Sequence, residues 1–204
     1  MTIFYKFERK MYINLTNGCP CKCVFCIRDN GDSISGNDSL WLEHEPSFEE
    51  IAAAFDAFDK SGISEAVFCG YGEPMVRADM VVRTAEYIRE RSDMKLRLNT
   101  NGLVKLIHPD FDIDRLKGLI DSVSISLNAP NAARYDEVTR PSFGERAYEV
   151  MLDFAAEMKK ICHTAFTVVD IITPGEIEEC RAIADKMGIP LRVRAYVTDN
   201  ESYT

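Results

Sequence analysis

Tyr12-Ile13-Asn14-Leu15-Thr16-Asn17 reads as a β-strand, and one glycine later the chain enters Cys19-Pro20-Cys21-Lys22-Cys23-Val24-Phe25-Cys26. Four of the seven cysteines fall in these eight residues, while Cys69, Cys162 and Cys180 are scattered. An odd number of cysteines with one dense cluster points to metal binding in a reducing compartment rather than to a disulfide framework. Read as C-x3-C-x2-C, the loop supplies three thiolates, from Cys19, Cys23 and Cys26. Three thiolates can hold three irons of a [4Fe–4S] cube and leave the fourth open to a small molecule, whereas electron-carrying cubes take four cysteines. A non-catalytic zinc-binding interaction module is the alternative, but structural zinc sites typically pair two separated knuckles, and no second knuckle follows. An electron carrier is a third reading. Cys21 lies off the spacing and reads as a bystander thiol.

Beyond the loop, strand-like and helix-like segments alternate. Further strands are expected at Glu65–Gly70, Lys95–Thr100, Asp121–Asn128, His163–Ile172 and Leu191–Val197. A capping box, Ser47 with Glu50, opens a helix that buries Ile51, Ala52, Phe55 and Phe58 and can end at Gly62. Helices are also expected near Ala78–Arg91, Ile113–Ile120 and Phe143–Lys160. The last helix has a box of Thr173 with Glu176, Pro174 in its first turn and Gly188 at its end. Such alternation implies parallel strands with helical crossovers. Fully buried parallel strands are unbroken apolar runs, yet here Ser122, Ser124, Ser126 and Asn128 alternate with Val123, Ile125 and Leu127. Lys95, Arg97 and Asn99 alternate with Leu96 and Leu98 in the same way, and Arg192, Arg194 and Tyr196 with Val193, Ala195 and Val197. One face can pack under helices; the other is too polar for the apolar interior of a closed eight-stranded barrel. The fold class expected is α/β, a partial TIM-type (β/α)6 barrel of parallel strands around a wet or ligand-filled cavity. It is read as a single domain over residues 1–204.

Net charge is −9 over 204 residues, which argues against a broad electrostatic footprint for nucleic acid or anionic membrane. No segment approaches the apolar length of a membrane span, and the charged N-terminus lacks the apolar core of a signal peptide. A cytoplasmic location is expected.

C-x3-C-x-aromatic-C after the first strand, with Phe25 as the aromatic, resembles the signature of the radical S-adenosylmethionine (SAM) superfamily. The resemblance implies a full or partial (β/α) barrel. It implies a [4Fe–4S] cluster on Cys19, Cys23 and Cys26 whose open iron takes the amino and carboxylate groups of SAM. It implies reductive cleavage of SAM to methionine and a 5′-deoxyadenosyl radical, with flavodoxin or ferredoxin as electron donor. Gly70-Tyr71-Gly72-Glu73-Pro74 after the second strand is similar to the family's G-x-GEP segment, whose carbonyls, with Glu73, would accept from the amino group of SAM. Asn99, in Asn99-Thr100-Asn101-Gly102, would bond the ribose, unless the segment is a simple turn. Ser126 and Asn128 fall where related enzymes contact the ribose and carboxylate, and Arg194 or Tyr196 would flank the adenine or the substrate.

Residues 28–46, with the only tryptophan, Trp41, form a long connection read as a lid or docking loop, against a packed surface loop. Cys-Val-Phe-Cys-Ile-Arg and Ser-Leu-Trp-Leu-Glu within residues 12–45 resemble the TatD-associated radical SAM proteins, which implies a TatD-family hydrolase as partner. Cys69, Cys162 and Cys180 read as structural thiols, and His44, His108 and His163 form no ligand pattern.

Overall fold

Phe4-Tyr5-Lys6-Phe7 opens the sheet as β1 (Phe4–Phe7), which turns through Glu8-Arg9 into β2 (Lys10–Ile13). Glu8 takes φ 54°, the left-handed conformation that lets two residues reverse the chain. The computed structural model describes residues 1–34 and 36–198. Parallel strands follow in chain order: β3 (Glu65–Phe68), β4 (Lys95–Thr100), β5 (Ser122–Ser126), β6 (His163–Val169) and β7 (Leu191–Arg194). The sheet runs β1-β2-β3-β4-β5-β6-β7, antiparallel only between β1 and β2. It is the partial TIM-type barrel, with one strand more than the six expected; the N-terminal hairpin was not anticipated. Among the described residues β1 and β7 do not pair, so the barrel stays open along one seam.

The two faces sort as the alternation requires. Outward-facing Met11, Ile13, Phe68, Leu96, Leu98, Ile125, Phe166 and Val168 are fully buried under the helices, each side chain contributing about 1.5–3 kcal/mol by leaving water. The inner face carries Tyr12, Arg97, Asn99, Ser124, Ser126, Thr167, Arg192 and Arg194, brought level by registers such as Asn99 opposite Ser124 and Thr167 opposite Arg192. Val193 departs from the expectation of an apolar face packed under helices. It is 39% exposed, on the edge strand of the sheet.

The helices are α1 (Phe48–Ala57), α2 (Ala78–Arg89), α3 (Val104–Ile107), α4 (Ala132–Thr139), α5 (Arg146–Met158) and α6 (Pro174–Met187). Both capping boxes form, and Gly188 ends α6 at φ 59°. α1 stops before Gly62 because Lys60 Nζ donates to the carbonyls of Phe55 (2.5 Å) and Phe58 (2.9 Å) and satisfies its last turn. Ile113–Leu116 is a 3-10 turn rather than a longer helix. The segment expected as one helix near 143–160 begins only at Arg146, and α4, which precedes it, was missed. Asn131 caps α4, its Oδ1 accepting from Arg134 N at 3.0 Å.

Several of the described residues within 28–46 are packed against the sheet. Ile34, Leu40 and Leu42 are buried, and Asn14 and Asn17 donate to the carbonyls of Leu40 (2.7 Å) and Leu42 (2.8 Å). These side-chain bonds are also why β2 leaves its ladder after Ile13 instead of running on to Asn17. Thr173→Ala removes the hydroxyl that accepts from Glu176 N, and should lower stability by about 1 kcal/mol in urea denaturation.

Candidate active site

Three loops meet at the C-terminal ends of the strands: the cysteine loop after β2, Cys69–Pro74 after β3, and Asn101–Leu103 after β4. The cysteine loop is held by the end of α4. Lys22 N donates to Thr139 O and Val24 N to Val138 O, both at 3.0 Å, and Ser142 N donates to Pro20 O at 2.8 Å.

The glycines of the second loop serve contact between strands. A Cβ on Gly72 would lie 2.2 Å from Thr16 O and 2.6 Å from Gly18 O, and one on Gly70 would overlap the Asn14 side chain. Only glycine allows this approach. Gly70 lines neither of the cavities described below, and its neighbour is the chain itself.

Glu73 is 5% exposed, and both of its carboxylate oxygens accept hydrogen bonds. Its Oε1 accepts from Met75 N (3.0 Å) and Thr100 Oγ1 (2.7 Å), and its Oε2 from Asn101 N (2.8 Å). Burial raises its pKa above the ordinary carboxylate value, with the three donors pulling the other way. Glu73 N donates to Gly18 O at 2.8 Å, so this one residue ties together the ends of β2, β3 and β4.

Cys19, Cys23 and Cys26 are half-buried free thiols, whereas Cys21 is buried. Cys21 hydrogen-bonds with Cys19 and Cys23; these bonds, with burial, push its thiol far above its usual pKa. The same bond from Cys21 holds the Cys19 thiol below its usual value. Asn101 Nδ2 reaches Cys21 Sγ at 3.6 Å. Arg28 donates from Nε to Cys26 Sγ at 3.1 Å and from Nη1 to Asn17 O at 3.2 Å. Among the described residues no three His, Cys, Asp or Glu side chains are gathered to hold a single metal ion.

The thiols face a cavity of about 180 Å³, also lined by Gly72, Glu73 and Pro74. A second cavity of about 230 Å³ adjoins it and has an aromatic wall of Tyr5, Phe7 and Tyr12. Phe25, Asn99, Ser126, Asn128 and Arg194 line both, and Tyr196 lines the second. Asn99 Oδ1 is buried without a hydrogen-bond partner, and Asn128, at φ 54°, turns its Oδ1 to Val169 N at 3.3 Å. Every sequence-derived candidate except Gly70 thus reaches the cavities. Tyr5 and Phe7 of the aromatic wall were missed because β1 was missed; the alternation of Phe4-Tyr5-Lys6-Phe7 was its signal. Cys69 lines both cavities and is not merely a core thiol, although burial keeps its pKa raised. Arg28 had no sequence signal beyond its place after the third cysteine.

Parallel strands under helices, with a cysteine loop at the C-terminal mouth, define a barrel whose chemistry belongs at that end. The chain belongs to the radical SAM superfamily, whose profile matches residues 13–186. It is 28% identical over 149 residues to the GTP 3′,8-cyclase of Saccharophagus degradans, covering 71% of this chain and 41% of that one. It is 31% identical over 133 residues to the FeMo cofactor biosynthesis protein NifB of Klebsiella pneumoniae, covering 63% of this chain and 27% of that one. The chain therefore spans less than half the length of these relatives. The solved structure of anSMEcpe with bound AdoMet superposes with a TM-score of 0.66 at 16% identity, covering 91% of this chain and 49% of that one; this is likeness of fold.

Members of the superfamily are enzymes that use a [4Fe–4S] cluster and SAM and need a reductant, and this chain is an enzyme of that class. The non-catalytic zinc module loses its ground. No helix among the described residues is long and apolar enough to cross a membrane. The residues present fit both groups. Three half-buried free thiols on one loop line a cavity that the buried Cys21 also borders, and Asn99, on the same cavity, has a buried Oδ1 without a hydrogen-bond partner.

All three partners of Glu73 are donors, so an amide would set a donor against a donor. Glu73→Gln should cost about 1–3 kcal/mol of stability in denaturant titration, more than a loss of ligand contact alone would produce.

Proposed function

We propose that Cys19, Cys23 and Cys26 ligate the [4Fe–4S] cluster and that the chain cleaves SAM reductively to act on a second molecule in the aromatic-walled cavity. The observation that carries this reading is the placement of three half-buried thiols of one loop opposite the orphan Oδ1 of Asn99. When bound, the cluster supplies one electron to the sulfonium of SAM, giving methionine and a 5′-deoxyadenosyl radical.

The chain's own residues take defined parts. Phe25 packs beside the ligand cysteines and closes the site to water. Asn99 accepts from a ribose hydroxyl, which satisfies its buried oxygen. Ser126 and Asn128 bound the floor, and Arg194 and Tyr196 flank the adenine or the substrate. Gly72, Glu73 and Pro74 line the cysteine side. With its oxygens already held by three donors, Glu73 contributes by fixing the loop, and main-chain carbonyls are left to receive the amino group of SAM. Arg28, donating to Cys26, offsets negative charge at that ligand.

Seven free thiols support a reducing, cytoplasmic location, with flavodoxin or ferredoxin as the electron donor. The chain is read as one radical SAM core unit, with the cluster on residues 18–27 and a strap over residues 28–46. Asn30 Nδ2 donates to Val197 O at 2.7 Å, which carries this strap across the open seam. The resemblance of residues 12–45 to the TatD-associated subgroup supports a TatD-family hydrolase as partner, to be sought by anaerobic co-purification.

Anaerobically reconstituted protein should hold about four irons and four sulfides and, with dithionite, convert SAM to 5′-deoxyadenosine and methionine. Cys23→Ala should lose both the cluster and the cleavage; full cleavage by that variant would overturn the ligand assignment. Asn99→Leu should keep its iron and weaken SAM binding about tenfold, the loss of one good hydrogen bond in a buried site.

A further inference from the structure

Arg28 stands two residues after the third cysteine of the loop, in the single 3-10 turn Ile27–Asp29. From that turn its side chain reaches back over the loop, and Nε donates to Cys26 Sγ at 3.1 Å. Cys19 and Cys23 hydrogen-bond instead with the thiol of Cys21. The donor at Cys26 therefore carries a full positive charge, whereas the partner of the other two sulfurs is a neutral thiol.

Two contacts from the strap hold the guanidinium in this pose. Nη1 donates to Asn17 O at 3.2 Å. Asn17 is itself locked to Leu42, giving Nδ2 to Leu42 O at 2.8 Å and taking Leu42 N on its Oδ1 at 3.0 Å. Arg28 Cζ also lies 5.9 Å from the centre of the Trp41 ring, within reach of a cation–π contact. Trp41 in turn donates from Nε1 to Asp32 Oδ1 at 3.0 Å and meets Tyr71, between Gly70 and Gly72, edge-on at 5.1 Å. Trp41-Leu42 of the strap thus aims Arg28 at the cysteine loop.

We propose that Arg28 is a positioning residue that raises the reduction potential of the cluster, and that the strap holds it to that task through Trp41 and Asn17. The proposal rests on the reading that Cys26 ligates a [4Fe–4S] cluster, and adds to it what makes that cluster easier to reduce. Reduction by the one-electron donor that the class requires adds one negative charge to the cluster and its thiolates. A cation hydrogen-bonded to a ligand sulfur stabilises the reduced form more than the oxidised one. Arginine suits the position because it stays charged, and its planar fork can give Nε to a sulfur while Nη1 is held on a carbonyl. Half-buried, Arg28 acts through a medium less screening than bulk water. A strap in place favours uptake of the electron and a displaced strap disfavours it, which links cleavage of SAM to coverage of the site.

The test is a spectroelectrochemical titration of anaerobically reconstituted full-length protein, with the reduced cluster followed by electron paramagnetic resonance. Arg28→Met should lower the midpoint potential by about 59 mV or more, a tenfold change in a one-electron equilibrium, as expected for the loss of a charge-assisted hydrogen bond. Arg28→Lys, which keeps the charge without the fork, should fall between that variant and the wild type. Trp41→Leu should lower the potential by a smaller step. Arg181→Met, on the exposed face of α6 and far from the loop in the sequence, should leave it unchanged, which separates a local bond from net charge. If Arg28 served only as packing, its loss would admit water, and hydration favours the more negative, reduced form, so the potential would rise. A potential that is unchanged or raised in Arg28→Met overturns the proposal, and one unchanged in Trp41→Leu overturns the part given to the strap. Should Arg28→Met take up no iron, Arg28→Lys decides by the same criterion. Iron content and SAM cleavage are measured on the same wild-type preparation. A wild type that holds the cluster and cleaves SAM, with a potential indifferent to Arg28, refutes this inference alone; a wild type that assembles no four-iron cluster refutes the reading beneath it.

Discussion

The carboxylate of Glu73, buried among three donors, is the interaction on which the rest of the site depends. A charged group out of water is costly unless its lone pairs are filled. Here Met75 N and Thr100 Oγ1 donate to one oxygen and Asn101 N to the other. Because these donors come from two loops, and the Glu73 amide reaches a third at Gly18, satisfying one carboxylate fixes three strand ends at once. Asn101, held in this way, touches Cys21 from its other end. The cysteine loop is thus positioned from two sides, by the Glu73 hub and by the last carbonyls of α4.

An open seam gives the barrel its second property. A closed barrel of small radius would have to fill its interior with branched apolar side chains. With β1 and β7 unpaired, the inner face has access to water and can carry arginines, serines and asparagines without stranding them. The helices bury only the outer face, and stability comes from there. Stability and chemistry therefore occupy opposite faces of the same strands, residue by alternate residue. The strap of residues 28–46 narrows the seam with buried Ile34, Leu40 and Leu42 and with the bond from Asn30 to Val197.

Local spacing made much of this legible beforehand. Period-two alternation exposed the polar inner faces of β4 and β5, and the capping boxes at Ser47 and Thr173 marked two helix starts to the residue. Where the reading slipped, a partner distant in sequence was responsible. β1 is four residues long and is a strand because β2 pairs with it. α4 is short and is defined by an Asn131 cap that the neighbouring Ala-Ala does not advertise. Val193 looks like a core residue in the alternation, yet on the edge strand β7 it stays exposed.

From composition and spacing alone came the barrel, the three candidate ligand cysteines and the sides of the strands that face the cavity, because each is written within a few consecutive residues. Assembly decided what those residues do there. It turned the glycines of Gly70-Tyr71-Gly72 toward the chain itself and engaged all of Glu73 in support. It also gathered Lys10, Arg97, Arg192 and Arg194, up to 184 positions apart, around one cleft. Neighbourhood accumulates in space and not along the chain, so a cleft lined by residues of β2, β4 and β7 becomes visible only when the sheet curls those strands toward one another.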